Sequence, residues 1–289
     1  MRDTVRAETL STVEWASEGP PGPEAEITVL ASRGTGLQVG ARLVPLTRAL
    51  ARQRGLVGAE VAVTASLLDQ LPLIRSVVVV VPPDIDASSC VDSLLPAATA
   101  LLGRDALTVM VTCPSPVPHG PGGLLSMYNQ HMDALPEAFV EAVAGARRCG
   151  LVTPGGNTVL LLQEFMPAFA SAVVRASHDR TVPVRLDGRW GLAEQRSAAA
   201  DRFEVPADGV TVHEKLAWKP TASLAAAGGT ETVAMPDGWQ HRHSLGRDTI
   251  RQLAALSRDA AVTAGAALSL DIVLGGRGPV VLRCRPSTP

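Results

Sequence analysis

Residues 159–167, VLLLQEFMP, stand where the pattern of the chain changes. Before this stretch, continuous apolar runs such as Ser76–Val81 alternate with helical patterns, which is typical of strands covered on both faces. After it, the runs are shorter and alternate or pair as antiparallel strands do. The sequence therefore predicts an α+β protein of two lobes, with an α/β first lobe, a mixed and largely antiparallel second lobe, and a ligand cleft between them.

The chain divides into three predicted segments. Residues 1–26 end in the cluster Pro20–Pro23, which cannot join a regular element, and they are expected to be a flexible lead-in. This segment also lacks the apolar core of a signal peptide. Residues 27–162 are expected to form the first lobe and residues 163–289 the second.

Hydrophobic periodicity predicts the elements of both lobes. In the first lobe, helices are expected at 39–54, 90–102 and 133–149, with a short one before Pro72, and strands at 60–64, 76–81 and 106–113. A loop rich in proline and glycine follows at 114–123. In the second lobe, strands are expected at 159–165, 171–176, 182–186, 203–205, 210–213, 267–274 and 279–284, and a helix at 245–264. The turn Gly275-Gly276-Arg277-Gly278 predicts that the last two strands form a hairpin.

Composition excludes several classes of function. The formal net charge is −2 and the pI near 6.3, so binding to nucleic acid through phosphate neutralisation is not expected. The four cysteines form no C-x-x-C pair, which argues against a disulfide framework and a thiolate zinc site. No apolar run is long enough for a membrane span. We therefore expect a cytoplasmic protein that associates with neither nucleic acid nor membrane.

Three patterns could carry chemistry, and each has a plainer interpretation. His241 and His243 could share a metal, but no Cys or carboxylate pair nearby completes the set. His213-Glu214 could supply a general base, although such a pair at a strand end is usually a surface pair. The turn Gly34-Thr35-Gly36 could present amides to a phosphate, but it has neither the spacing nor the lysine of a P-loop.

The C-terminal strand is more informative. Arg283 and Arg285 lie two residues apart, so they share one face of the strand. Two aligned guanidinium groups suit a phosphate or a carboxylate. The alternative is an exposed edge strand whose arginines discourage aggregation.

Several segments of the sequence resemble a known family, the ATP-grasp nucleotide-binding domain of phosphoenolpyruvate synthases, pyruvate phosphate dikinases and rifampicin phosphotransferases. Gln163–Pro167 resembles the family's V-Q-E-M-V-P, and Arg189–Glu194 its A-N-W-G-L-G-E. Further similar segments occur in the family's order: Arg33–Gly36 with G-G-K-G, Val61–Ala65 with F-V-V-T-A, Val111–Pro114 with V-R-S-S, Gly122–Tyr128 with A-G-Q-Q-D-T-Y, Asp271–Leu274 with D-I-E-W, and Leu282–Thr288 with L-Q-A-R-P-I-T. The resemblance spans residues 27–289.

The chain departs from the family where phosphoryl transfer occurs. The resemblance places Thr35 and Thr112 where the family has a lysine and an arginine that hold ATP phosphates. It places Val273 and Arg283 where the family has a glutamate and a glutamine that bind magnesium. Because Mg²⁺ needs oxygen ligands, the resemblance implies no magnesium in the family's usual site. The positions expected to contact a nucleotide are Gln163, Glu164, Gly123, Glu194, Arg283 and Arg285.

These residues lead to two functional hypotheses. The first is a stand-alone, degenerate ATP-grasp domain that acts as a nucleotide- or partner-binding pseudoenzyme, with ATP as the candidate cofactor. The alternative is an active kinase-like phosphotransferase with a rebuilt ATP site, acting on a small molecule or on a histidine of a separate protein. The expected partners are a nucleotide or small anionic ligand and a separate phosphohistidine or catalytic protein. No catalytic residue or metal ligand is assigned by the sequence.

Overall fold

The computed structural model of the chain describes residues 13–15, 27–31, 39–46, 48–89, 91–103, 106–112, 126–131, 133–192 and 199–287. Within these ranges the chain forms two antiparallel sheets and a separate hairpin. The first sheet lies in the first lobe and the second sheet in the second lobe. Helices cover both faces of the first sheet and one face of the second.

The first sheet has the order β1-β2-β3-β4-β7-β5-β6, and every neighbouring pair is antiparallel. Its strands are β1 (Val13–Trp15), β2 (Ile27–Ala31), β3 (Val39–Pro45), β4 (Ser76–Val81), β5 (Ala106–Val111), β6 (Ser126–His131) and β7 (Thr158–Glu164). The central strands β4 and β7 are apolar along most of their length and are covered on both faces. The burial of these runs was predicted, but an apolar run does not encode strand direction, and here the direction is antiparallel.

Three helices cover the first sheet. They are α1 (Arg54–Ser66), α2 (Val91–Leu102) and α3 (Leu135–Arg148). One face of the sheet packs against α2 and α3 around Phe139. The other face packs against α1, where Val61 and Leu161 lie in one buried cluster. The apolar stripe predicted for the third helix is confirmed, because Leu135, Phe139 and Val143 are all buried.

The second sheet has the order β11-β10-β9-β8-β14-β15, again with antiparallel pairs throughout. Its strands are β8 (Ala170–Ala176), β9 (Val184–Trp190), β10 (Asp201–Val205), β11 (His213–Lys215), β14 (Leu268–Gly275) and β15 (Gly278–Pro286). The predicted hairpin is formed by β14 and β15. One face packs against α5 (Arg247–Ala264), whose Ile250 and Leu253 are fully buried. The opposite face is polar.

A hairpin and a short helix complete the second lobe. The hairpin consists of β12 (Thr221–Ala226) and β13 (Gly229–Ala234), and the short helix is α4 (Asp237–Gln240). The hairpin contacts β6 of the first lobe, so it bridges the two lobes. Gly191, which follows β9, pairs with Ser223 of β12, so the hairpin also contacts the second sheet.

The outer edge of β15 is closed by residues of the first lobe. Val281 N donates to Pro72 O over 2.9 Å, and Ile74 N donates to Val281 O over 3.0 Å. Further along the strand, Thr64 Oγ1 of α1 donates to Cys284 O over 3.0 Å. Because an unpaired strand edge would expose backbone donors and acceptors, these bonds both satisfy β15 and join the lobes.

Two predicted elements in the first lobe are wrong. The helix expected at 39–54 is a strand, β3, followed by a 3₁₀ helix at Arg48–Arg52. Pro45 would stand inside that helix and remove one of its hydrogen bonds, which favours the observed break. The strand expected at 60–64 lies inside α1. A short apolar run does not distinguish a buried strand from a buried helix, and tertiary packing selected the helix.

The segment boundaries also need correction. The predicted lead-in, residues 1–26, contains β1, in which Val13–Trp15 pairs with β2. The sequence V-E-W alternates with period two, a strand signal that the proline cluster obscured. The predicted boundary at 162/163 falls inside β7, because all of Thr158–Glu164 belongs to the first sheet. The chain enters the second sheet at Ala170.

Candidate functional site

The polar face of the second sheet carries most of the charged side chains that the sequence singled out. The cross-strand register places Arg283 opposite Asp271 and Arg285 opposite Ser269. Along the adjoining strands the same register adds further charges to this face. The basic residues on it are Arg175, Arg185, Arg189, Arg202, Lys215, Arg283 and Arg285, and the acidic ones are Asp187, Glu204 and Asp271. This face is therefore strongly basic in a chain whose net charge is −2.

Asp271 lies between the two predicted arginines. Its Oδ2 accepts a hydrogen bond from Arg283 Nε at 2.5 Å, and its Oδ1 accepts one from Arg285 Nη2 at 2.7 Å. All three residues are buried, with exposed fractions of 7% for Asp271, 5% for Arg283 and 8% for Arg285. Glu60 of α1 is the second carboxylate, since its Oε1 lies 3.9 Å from Arg283 Nε. Two carboxylates thus balance two guanidinium groups in one buried cluster.

Asp271 and Arg283 are both charged near neutral pH. Burial opposes ionisation of Asp271, but the charges of Arg285 and Arg283 outweigh it and hold the pKa of the carboxyl well below its usual range. Burial also opposes the charge on Arg283, and the carboxylates of Asp271 and Glu60 reverse that effect and raise its pKa. The neighbouring Cys284 is different, because burial raises the pKa of its thiol. Cys284 is therefore a protonated, unreactive core residue at neutral pH.

Gln163, the first predicted nucleotide contact, joins the two lobes. Its Nε2 donates to Ser76 Oγ over 2.8 Å and to Leu282 O over 2.6 Å. Both amide hydrogens are therefore used inside the protein, between β4 and β15. Only its Oε1 has no hydrogen-bond partner among the described residues. The role of Gln163 toward a purine or ribose stays a prediction.

Glu164, the adjacent predicted contact, is held by the turn of the β14–β15 hairpin. Its Oε1 lies 3.1 Å from Arg277 Nη1. The Glu164 side chain is buried, whereas Arg277 is 66% exposed and covers it from the solvent side. Gln163 and Glu164 thus both bond to the final hairpin, whereas Arg283 and Arg285 pair with Asp271 on its polar face. Gly123 and Glu194, the other two predicted contacts, lie outside the described residues.

Two of the positions substituted relative to the resembled family are closed by the fold. Val273 is 1% exposed and belongs to the apolar cluster between the lobes. Thr112 is buried, and its hydroxyl donates to Val159 O over 2.9 Å. Thr35 lies outside the described residues. Among the side chains the structure describes, no group of three or more His, Cys, Asp and Glu residues is placed to hold a metal ion.

Unused hydrogen-bonding capacity remains on the polar face. Buried polar atoms in proteins are nearly always hydrogen-bonded. Here Arg283 Nη1, Arg285 Nε, Ser171 Oγ and Ser269 Oγ are buried and have no partner within the described ranges. Two of these atoms are guanidinium donors and two are hydroxyls. The guanidinium groups can donate hydrogen bonds to an anionic, oxygen-rich ligand, and the hydroxyls can donate to it or accept from it.

The remaining candidates from the sequence form a surface network. Glu214 accepts from Arg247 Nε over 2.6 Å and pairs with His243 Nε2 at 3.0 Å. His213 and His241 are exposed and do not join them. The predicted pair His213-Glu214 is therefore split between the two faces of β11. These residues support a surface pair and not a metal site or a general base.

Sequence reasoning missed the two carboxylates that organise the cluster. Asp271 was noted as part of a segment similar to D-I-E-W, but it was given no role of its own. Glu60 was placed in an expected strand. Its signal is a single charge inside the apolar run Val57–Ala65, because a charge in such a run is buried only when it is paired.

The comparisons with known proteins concern the fold. No protein-family profile and no curated protein matches this chain. Solved structures with some likeness include the ATP-grasp ligase PsnB with a minimal precursor, at 13% identity and a TM-score of 0.36, covering 83% of this chain and 54% of that one. A Rhizobium etli pyruvate carboxylase with acetyl coenzyme A gives 13% identity and a TM-score of 0.43, covering 85% and 17%.

A D-alanine–D-alanine ligase from Bacillus anthracis gives 7% identity and a TM-score of 0.36, covering 84% of this chain and 57% of that one. The chain spans less than two thirds of the length of each of these three structures. The predicted α+β class with two lobes is confirmed by the two sheets and their helices. In the described residues, no helix is both long enough and apolar enough to cross a bilayer.

Proposed function

We propose that this chain is an ATP-grasp-like domain, related to the ATP-binding domain of phosphoenolpyruvate synthase and pyruvate phosphate dikinase, that binds a nucleotide or a small anionic ligand without phosphoryl transfer. The supporting observation is the Arg283–Asp271–Arg285 arrangement. Asp271 is the only carboxylate in the described hairpin Leu268–Pro286, and both of its oxygens are held by guanidinium groups.

Phosphoryl transfer depends on metal ions and cations that neutralise charge on the phosphate oxygens. A magnesium ion at this hairpin would have to take Asp271 away from two buried arginines. Removing one partner from a buried ion pair costs about 3–5 kcal/mol. Val273, at the other family position, has no oxygen to offer and is packed in an apolar cluster. The hairpin therefore favours direct contact with an anion over contact through a metal.

A ligand would be accepted through the free atoms of the same face. Arg283 Nη1 and Arg285 Nε can donate to phosphate oxygens while Asp271 keeps the guanidinium groups in place. Gln163 and Glu164 bond to the same hairpin, at Leu282 O and at Arg277. We propose that the base and the phosphates of a nucleotide find their polar partners along this hairpin.

The same chain carries a surface that fits the partner-protein form of the proposal. Trp218 and Trp239 are 59% and 45% exposed, and Trp218 Nε1 donates to Gln240 Oε1 over 2.8 Å beside Trp239. Tryptophan is enriched among the residues that contribute most to protein–protein binding. If no nucleotide binds, we expect a partner protein to bind this aromatic surface.

The experiment is a turnover assay with ATP and Mg²⁺ on the native chain, on Arg283→Ala, and on Arg148→Ala. Arg148 is an exposed residue of α3 and provides the same change of charge far from the cluster. We expect hydrolysis at background in all three proteins. Turnover above background that is lost only in Arg283→Ala would overturn the proposal and favour the active kinase-like alternative.

A further inference from the structure

An open groove of about 650 Å³ lies on the polar face of the second sheet, across β9, β10 and β11. It is at the opposite end of the sheet from β15, so it is separate from the Arg283–Asp271–Arg285 cluster. We infer that this groove binds a phosphate-bearing small molecule, with the phosphate between Arg202 and Lys215. The inference does not depend on nucleotide binding at the lobe contact.

The first step is to account for the acidic side chains that line the groove. Asp187 Oδ2 accepts from Arg175 Nη1 at 2.8 Å. Glu204 Oε2 lies 3.5 Å from Arg185 Nε. Each of these carboxylates is therefore already paired with a cation on a neighbouring strand.

Glu214, the third acidic residue that lines the groove, is also engaged. Its two oxygens pair with Arg247 at 2.6 Å and with His243 at 3.0 Å, on the side of the sheet that faces α5. No carboxylate of the groove is left to neutralise a further cation. The groove therefore keeps an excess of positive charge.

Within the described residues, the cations of the groove that form no ion pair are Arg202 and Lys215. Asp187 lies opposite Arg202 in the register of β9 and β10, but its Oδ2 is held by Arg175. Arg202 and Lys215 are direct cross-strand partners in the register of β10 and β11, so their side chains leave the same face side by side. Both side chains are exposed, and neither forms an ion pair within the described part of the chain. Like charges directly opposite each other destabilise a sheet. An anion between them would remove this repulsion and be held by two charge-assisted hydrogen bonds.

The chemistry of the groove favours phosphate over a carboxylate. A guanidinium group presents a planar fork and an ammonium group acts as a compact point charge, so together they need an anion with oxygens pointing in several directions. Phosphate has this shape and binds both groups. The volume falls in the range of small-molecule sites, about 300–1,000 Å³. His213 and Arg185 flank the two cations and would contact the rest of the molecule.

The experiment is a calorimetric titration at constant low ionic strength with inorganic pyrophosphate, inorganic phosphate and phenyl phosphate. These probes lack a nucleobase, and the variants at Arg202 and Lys215 distinguish binding in the groove from binding of phosphate at Arg283 and Arg285. Binding of phenyl phosphate and not of inorganic phosphate would identify the ligand as a phosphate ester, and the reverse would identify it as a free ion. The proteins are the native chain, Arg202→Ala, Lys215→Ala and the control Arg148→Ala.

We expect at least one probe to bind the native chain, and each groove variant to weaken that binding by about 10- to 100-fold, as for loss of one charge-assisted hydrogen bond. Arg148→Ala should change the affinity by less than about 2-fold. Because Arg202 and Lys215 are exposed and repel each other, neither groove variant should lower the melting temperature. Absence of binding by every probe, or equal weakening in Arg148→Ala, would overturn the inference.

Discussion

Asp271 decides the structure of the polar cluster, because it holds two buried guanidinium groups at once. Buried charges are tolerated only when each has a partner and further hydrogen bonds. The cluster meets this condition through Asp271 and through Glu60, which reaches it from α1. A residue of the second lobe and a residue of the first lobe are therefore both needed to keep Arg283 charged in the interior.

Replacing Asp271 with Asn should strongly destabilise the protein. The change leaves Arg283 and Arg285 buried without their shared carboxylate, and the expected cost is about 3–5 kcal/mol of the free energy of unfolding. Urea denaturation measures it. Asp248→Asn is the matched control, since the Asp248 side chain is fully exposed and pairs with Arg251 at the helix surface. Equal effects of the two substitutions would show that the cluster does not support the fold.

The same carboxylate predicts how stability depends on pH. Its pKa is lowered in the folded protein relative to about 3.9 in an unfolded chain. The stabilisation is therefore fully present above pH 4 and is lost as the pH falls toward the folded pKa. Denaturation curves between pH 7 and pH 2 should show a steep loss of stability below pH 4 in the native chain. In Asp271→Asn the free energy of unfolding should fall less steeply below pH 4. An identical slope in both proteins would mean that other carboxylates cause the loss of stability.

Of the four charged residues in the cluster, the sequence predicts the two arginines and not the two carboxylates. Period two correctly places Arg283 and Arg285 on one face of a strand, and the glycine-rich turn correctly predicts the hairpin. The partners of these arginines do not follow from spacing. Glu60 approaches Arg283 across more than two hundred residues of chain, and only the packing of α1 against β15 brings the two together.

Among the elements, the β12–β13 hairpin connects the lobes through one residue of β6. Asn129 Nδ2 donates to Ala226 O and, over 3.0 Å, to Gly229 O, near the tip of the hairpin. Asn129 itself has φ of 54°, a left-handed conformation that asparagine tolerates better than most residues. The side chain of Asn129 therefore fixes the position of the hairpin relative to the first lobe.

Asn129→Ala should release the hairpin from the first lobe. The substitution removes two hydrogen bonds and places alanine at a positive φ, with an expected cost of about 1–3 kcal/mol. Amide hydrogen exchange in residues 221–234 should become faster while exchange in α5 stays unchanged. Asn129→Gly keeps the backbone conformation and removes only the side-chain bonds, so it separates the two causes. Unchanged exchange in both variants would mean that the hydrogen bonds of Asn129 do not hold the hairpin in place.

The base of the same hairpin requires a glycine. Gly191 has φ of 69°, and a Cβ there would lie 2.1 Å from Ser223 O. Gly191→Ala should therefore cost more than the roughly 1–2 kcal/mol of a left-handed alanine. Gly228→Ala is the control, because Gly228 has a similar φ of 75° with nothing within 4 Å of the added Cβ. Thermal denaturation should show a clearly larger loss for Gly191→Ala, and equal losses would contradict the close approach.

Two strands that the sequence did not predict, β12 and β13, share a cause. β12 and β13 are rich in alanine, threonine and glycine and carry few apolar β-branched residues, so they lack the pattern of a buried strand. Their position depends on Asn129 and Gly191 instead of on an apolar face. By contrast, Ser76–Val81 was predicted to the residue, because five consecutive valines between polar flanks leave few alternatives.

For the whole molecule, the two lobes meet along β15, and the candidate site lies on this contact. Gln163, Thr64 and the backbone of Pro72 and Ile74 all bond to β15. The change of pattern at 159–167 overlaps the end of β7 at Glu164, and the chain enters the second sheet at Ala170. The antiparallel direction of the first sheet did not follow from the sequence, since strands covered on both faces look alike in either direction.

The central claim is that a nucleotide binds at this contact without a metal held by the hairpin. Calorimetric titration of the native chain with ATP, once in chelator and once with excess Mg²⁺, tests it most directly. We predict binding in both conditions with dissociation constants that agree within about 2-fold, since Arg283 and Arg285 donate to the phosphates directly. Binding that occurs only with Mg²⁺ would contradict the claim, and so would no binding in either condition.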